Sequence, residues 1–137
     1  FYQVPRCCYP AILLGESYTA QDGSIIPNNR LTKPGRVPRR YAYCSDTEYF
    51  PNLIEQVRGV DLLYHEATFG EDLRARLATT AHSTAREAAT IALKAEVKRL
   101  LIGHYSSRYT DVTPLLDEAR SVFPNTTAAQ EGLIIHL

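Results

Sequence analysis

The chain has 137 residues, with 15 Lys and Arg against 15 Asp and Glu, which suits one domain with a modest core and leaves no global basic field to attract nucleic acid. No apolar run approaches the about 20 residues that a membrane span needs, and Phe1-Tyr2-Gln3-Val4-Pro5-Arg6 has neither the charged start nor the apolar core of a signal peptide. Methionine is absent, so the expectation is that Phe1 is not the biological start and that the chain is a piece of a longer protein.

Cys7 and Cys8 come first along the chain. With Cys44 they make an odd count containing an adjacent pair, a poor disulfide framework that fits a reducing, cytoplasmic setting. Cys7-Cys8 also lacks the C-x2-C spacing of zinc sites, so small buried thiols are expected. Ala11-Ile12-Leu13-Leu14 is a short apolar run, and Gln21-Asp22-Gly23-Ser24 carries the Asp-Gly hairpin signal. Residues 27–40 read as a loop punctuated by Pro27, Pro34, Gly35 and Pro38. That loop holds Arg30, Lys33, Arg36, Arg39 and Arg40, as either a solvated basic stretch or a phosphate-facing surface.

From there the pattern becomes regular. Residues 40–44 alternate and are aromatic-rich, as a strand requires. Residues 51–58 read as a short helix with Pro51 in its first turn and Gly59 as its stop. Residues 60–64 read as a buried strand. Residues 84–95 give the clearest helix, where Thr84 and Glu87 form a capping box and Ala85, Ala88, Ala89, Ile91 and Ala92 share one face. A strand over 99–102, a helix opened by Thr113-Pro114 and ended by Phe123-Pro124-Asn125, and a closing strand over 133–137 complete the series. Strands alternating with helices imply an α/β layer with parallel crossovers.

Four motifs carry the polar chemistry: Cys44-Ser45-Asp46-Thr47, His65-Glu66-Ala67-Thr68, His82-Ser83-Thr84 and Gly103-His104-Tyr105-Ser106-Ser107-Arg108-Tyr109. Each falls where a strand ends or a helix begins, and in a layered α/β fold such ends gather along one sheet edge. Asp46 could bridge two cations or simply close a turn. His104 could ligate zinc or be a hydrogen-bonded structural residue, with Gly103 allowing close backbone approach. His82, just before a helix start that favours anions, could give a proton to a leaving oxygen or sit at the surface near a cap. Glu66 could orient His82 and raise its proton affinity, or with its neighbour His65 form a solvated strand-end pair. Arg108 could fork onto a phosphate or pair with Asp111, and His136 reads as structural.

Taken together, these motifs resemble the ribonuclease Z family, tRNA 3′-processing endonucleases of the metallo-β-lactamase superfamily, in identity, order and separation. The resemblance runs from about Leu13 onward and includes Asp22-Gly23-Ser24-Ile25-Ile26-Pro27 and Val122-Phe123-Pro124-Asn125. It implies an α/β fold, the C-terminal half of an αββα sandwich with a mixed sheet and helices on one face, so that residues 1–137 are part of a single domain. By the same resemblance Asp46 and His104 are metal ligands, Asp46 bridging two zinc ions; His82 and Glu66 are catalytic; Ser106 and Arg108 lie near substrate. It also implies precursor tRNA as substrate, a homodimer, and no membrane partner.

The family's main signature, H-x-H-x-D-H, does not occur in this chain, and neither does the protruding arm that grips tRNA. With only Asp46 and His104 as ligands, the chain alone is expected to hold zinc weakly. Two other readings remain open: another hydrolase of the same superfamily, and a non-catalytic scaffold or dimer partner.

Overall fold

Short β-branched and aromatic runs alternate here with Ala- and Leu-rich helical segments, a pattern that builds a parallel sheet covered by helices. The computed structural model describes residues 2–137, and the chain forms two compact units, Phe1–Pro38 and Arg39–Leu137.

In the first unit a 3-10 turn, Arg6–Cys8, leads into α1 (Tyr9–Leu13). Pro10 sits in the first turn of α1, where its missing N–H leaves no helical bond unmade. The run over 11–14 is therefore mostly helical, and its Leu13 and Leu14 are exposed. The Asp-Gly signal gives the expected hairpin: β1 (Tyr18–Thr19) pairs antiparallel with β2 (Ile25–Ile26). The Asp22 carboxylate accepts the Ser24 N–H and hydroxyl at 2.9 and 2.7 Å inside the turn. The expected loop over 27–40 is interrupted by α2 (Asn28–Leu31). The cysteines differ from expectation: Cys7 is exposed, Cys8 and Cys44 are only half-buried, and all three are free.

In the second unit β3 (Tyr41–Cys44), α3 (Leu53–Gln56), β4 (Leu62–Glu66), α4 (Leu77–Thr80), α5 (Ala85–Lys94), β5 (Leu100–Gly103), α6 (Thr113–Val122) and β6 (Thr126–Ala128) follow one another. The sheet order is β3-β4-β5-β6, and every pairing in it is parallel rather than mixed. Ala42, Cys44, Leu63, Leu100 and Ile102 alternate into the core, while Tyr41 and Tyr43 are exposed on the other face. Ala85, Ala88, Ala89 and Ala92 of α5 are fully buried, and side chains this small let the helix lie close against the sheet. α6 packs on it through Leu115 and Ala119.

Two sequence expectations shift. β4 runs on through His65 and Glu66, so both belong to the strand and face opposite ways. The closing strand over 133–137 does not form, and Leu133 and Ile134 are exposed. The free edge of β5 is instead taken by Thr126–Ala128, whose Thr126 is buried opposite Leu100. An apolar run becomes a strand only where a neighbour offers unpaired backbone groups, and β6 already occupies that position.

Candidate active site

The site is built on the level ends of three parallel strands. Cys44 lies opposite His65, His65 opposite Ile102, and Glu66 opposite Gly103. The chain therefore leaves the sheet at Asp46, Glu66 and His104 along one edge, as expected for open α/β sheets. His82 is brought to the same edge by the segment before α5, where Phe69 and Thr84 form an isolated parallel bridge. Asp46 and His104 both adopt left-handed backbone conformations, with φ of 52° and 60°. Asp and His tolerate that region better than most residues, and such conformations persist where the surroundings over-determine them.

Glu66 is completely buried and its carboxylate organises the edge. It accepts the Thr47 N–H at 2.5 Å, the Thr68 hydroxyl at 2.5 Å, the Ser83 N–H at 3.2 Å and His82 Nδ1 at 2.9 Å. One side chain thus ties together the turn after β3, the exit of β4 and the start of α5. The Ser83 hydroxyl adds a bond to the Thr47 carbonyl at 2.7 Å. Behind His82 the expected capping box is present: the Glu87 N–H donates to Thr84 Oγ1 at 3.1 Å, and the Thr84 N–H donates to Glu87 Oε2 at 3.0 Å.

These partners fix the histidine protons. A carboxylate such as Glu66 accepts only, so the hydrogen between it and His82 is on Nδ1, and Nε2 is the free nitrogen. Thr68 Oγ1 lies 3.0 Å from both His104 Nδ1 and the His104 carbonyl, and 2.5 Å from Glu66 Oε2. Its single hydrogen goes to the carbonyl or the carboxylate, neither of which can donate, so His104 Nδ1 must donate to Thr68. Nε2 is again the free nitrogen. His65 follows the same rule, with Nδ1 bonded to the Glu66 carbonyl at 2.8 Å. Its Nε2 is the buried polar side-chain atom without a partner among the described residues, and burial pushes its pKa down.

Asp46, His82 and His104 each offer a donor atom, all within 4.8 Å of one another. His104 Nε2 stands 3.3 Å from Asp46 Oδ1. Two lone pairs facing each other at that distance call for a proton or a metal cation between them. Nitrogen and oxygen ligands at about 2.0–2.1 Å from a tetrahedral zinc would be about 3.3–3.4 Å apart, and imidazole with carboxylate is a donor set zinc accepts. The residues therefore fit such an ion, and they include His82, which the sequence reading kept outside the ligand set. The side chains of Asp46, His104 and His82 are 73%, 40% and 24% exposed, so a ligand can reach all three.

Ser106 and Arg108 lie on the loop after β5. The Ser106 N–H donates to the Thr68 carbonyl at 3.0 Å, which ties that loop to the same edge, while the Arg108 side chain is exposed. His136 lies outside any strand, and its main-chain carbonyl accepts from Arg99 at 3.1 Å. The sequence reading gave no role to Thr47, Thr68 or Ser83. The signal for Thr68 was its place two residues after Glu66, which puts both on one side of an extended segment.

Residues 29–105 match a family described as a Beta-lactamase superfamily domain. A curated protein named Ribonuclease Z from Porphyromonas gingivalis is 61% identical over 137 residues, the whole of this chain and 45% of the relative. A protein of the same name from Phocaeicola vulgatus is 54% identical over the same length, 44% of its own. The chain thus spans less than half the length of these relatives. Among solved structures, the metallo-beta-lactamase fold protein YhfI from Bacillus subtilis is similar, with a TM-score of 0.61 at 28% identity, over 66% of this chain and 37% of that one.

Proposed function

The chain belongs to the β-lactamase superfamily, and from that premise we propose that it is the C-terminal portion of a ribonuclease Z-type domain, in a parent protein that removes the 3′ trailer of precursor tRNA by phosphodiester hydrolysis. The observation that carries the proposal is the convergence of Asp46, His82 and His104 in front of the buried Glu66. The rest of the parent would supply the H-x-H-x-D-H ligands that this chain lacks. A cytoplasmic homodimer completes the reading. Among the described residues no helix is long and apolar enough to cross a membrane.

Asp46 and His104 would hold zinc, with two ions per active site in the parent. When bound, zinc supplies Lewis acidity toward the phosphoryl oxygens and the charge that develops on them. The chain's own residues account for the remaining steps. His82, with Nδ1–H on Glu66, presents Nε2 to the site; carrying a proton there, it gives it to the departing 3′ oxygen. Glu66 stabilises the charged ring before that transfer and holds its orientation throughout. Arg108 places a fork-shaped cation on the exposed side, where it can pair with a substrate phosphate, and Ser106 offers a hydroxyl beside it. A second reading rests on membership of the superfamily alone: hydrolysis of a different ester by the same groups.

The test is a pair of variants in the full-length parent. His82→Ala should slow single-turnover cleavage of precursor tRNA by about 10²–10⁴-fold, the usual cost of losing a general acid, while zinc content stays near wild type. Asp46→Ala should lower zinc content and rate together. If His82→Ala loses zinc as fully as Asp46→Ala, His82 belongs to the ligand set, which the donor geometry also permits. If a parent with full zinc leaves precursor tRNA uncut, the substrate is a different ester.

A further inference from the structure

The adjacent cysteines of the first unit take no part in the chemistry above. Cys7 is exposed, Cys8 is half-buried, and their Sγ atoms lie 3.9 Å apart. In a 3-10 turn with about three residues per turn, successive side chains normally diverge by about 120°. Here two successive side chains bring their sulfurs nearly into contact, with at least one of them open to solvent.

We propose that Cys7 and Cys8 form a dithiolate chelate for a soft divalent cation of the zinc and cadmium class, using a donor set that shares no residue with Asp46, His82 and His104. Two thiolates at about 2.3 Å from a tetrahedral zinc stand about 3.8 Å apart, so the observed separation already matches one edge of such a site. Thiolate is also the ligand that selects soft metals over magnesium or calcium. Two thiolates fill only part of a tetrahedron, so the remaining corners are open to water or a small thiol and the cation is exchangeable.

Chelation is favoured over a disulfide between the same residues. Neighbouring Cα atoms across a trans peptide are about 3.80 Å apart, below the about 4.4–6.8 Å of ordinary disulfides, and among the described residues every peptide bond is trans. Cation capture needs no such contraction. Its balance is simple: two thiols and one divalent cation give one dithiolate complex and two protons, with no electron transferred. Partial burial and the neighbouring Cys7 hold the Cys8 thiol above its ordinary pKa. Both protons must be displaced, so uptake should weaken as pH falls.

The experiment titrates cadmium into the reduced full-length parent and reads the ultraviolet thiolate-to-cadmium charge-transfer band, to which carboxylate and imidazole ligands do not contribute. The band should be present in wild type and in Cys44→Ser, and should be lost or strongly reduced in Cys7→Ser and in Cys8→Ser, with thermal melting reporting whether each variant is folded. In parallel, cadmium should protect Cys7 and Cys8 together against iodoacetamide in wild type, read peptide by peptide by mass spectrometry, and leave Cys44 unprotected. An undiminished band in either folded single variant overturns the chelate. So does loss of the band in folded Cys44→Ser. Should a variant fail to fold, alkylation decides: equal labelling of Cys7 and Cys8 with and without cadmium overturns it.

Discussion

Thr68 directs its hydroxyl hydrogen to Glu66 Oε2 or to the His104 carbonyl, and receives the hydrogen of His104 Nδ1 across 3.0 Å. Glu66 Oε2 lies 3.9 Å from the same nitrogen, too far for a hydrogen bond, so Thr68 carries the influence of the buried carboxylate to His104. His82 receives it directly. Glu66 therefore sets the tautomer of His82, and Thr68 that of His104.

Thr68→Val, which keeps the shape and removes the hydroxyl, should release that control. Zinc affinity of the full-length parent should fall about 10–100-fold, as for other lost partners of metal-binding histidines. Thr68→Ser should restore most of it. Nitrogen NMR of His104 in the metal-free protein is a direct check, because loss of the Nδ1–H preference should appear there. An unchanged tautomer in Thr68→Val would show that something other than Thr68 sets it.

Glu66→Gln should destabilise the fold as well as the site. The buried carboxylate receives hydrogens from Thr47, Thr68, His82 and Ser83. An amide has one oxygen to accept them and turns two hydrogens of its own toward donors. Breaking a buried charged network typically costs about 3–5 kcal/mol, and urea denaturation should register a loss of that order.

Gly103→Ala should force the aromatic pair apart. A Cβ at Gly103 would lie 2.5 Å from Tyr64 Oη, 2.8 Å from Cε2 and 2.9 Å from Cζ, and Tyr64 is stacked on Tyr43 at 4.5 Å between ring centres. The expected cost is about 1–3 kcal/mol, in the range of overpacked sites. Tyr64→Phe should not rescue it, since two of the three contacts are ring carbons. Tyr64→Leu should rescue it in part, and the comparison of urea midpoints is the measurement.

His65 should make stability fall in mild acid. Burial lowers its folded-state pKa below the ordinary 6.5, so below that pH the unfolded chain binds the proton more readily than the folded one. The contribution is fully present above pH 6.5 and is lost as pH falls toward the folded-state value. Within that window one such group gives a slope of up to about 1.4 kcal/mol per pH unit. His65→Gln removes the titration, so its stability should change less with pH than that of wild type between neutral and mildly acidic buffer. Parallel slopes in the two proteins would show that His65 does not titrate on unfolding.

Much of this arrangement was legible in the sequence because local patterns and the site agree. The capping box at Thr84 and Glu87, the Asp-Gly hairpin and the alternation of strands and helices are read over a few neighbouring residues, and the structure keeps them. The convergence of Asp46, Glu66, His82 and His104 followed from placing each at an element end. What escaped depends on partners distant in the chain. The apolar run over 133–137 has strand composition, but the edge beside β5 belongs to Thr126–Ala128. The left-handed backbone of Asp46 and His104 has no composition signature. The role of Thr68 appears only when His104, far along the chain, is set beside it. The exposure of Cys7 runs against the usual burial of free cysteine.

The level finish of β3, β4 and β5 makes the chain's tolerance of length change lopsided. Residues added before β4, in the turn around Gly59, would lengthen a connection at the far end of the sheet and leave the pairing intact. One residue added between Leu62 and Glu66 would shift the register by a single step and send every later side chain of that strand to the opposite face. His65 would then stand where the carboxylate belongs, and Glu66 would be driven into the alanines of α5. Insertions and deletions accumulating in related chains should therefore crowd at the end of the sheet where β4 begins, and a loop grafted there should leave the histidines where they are.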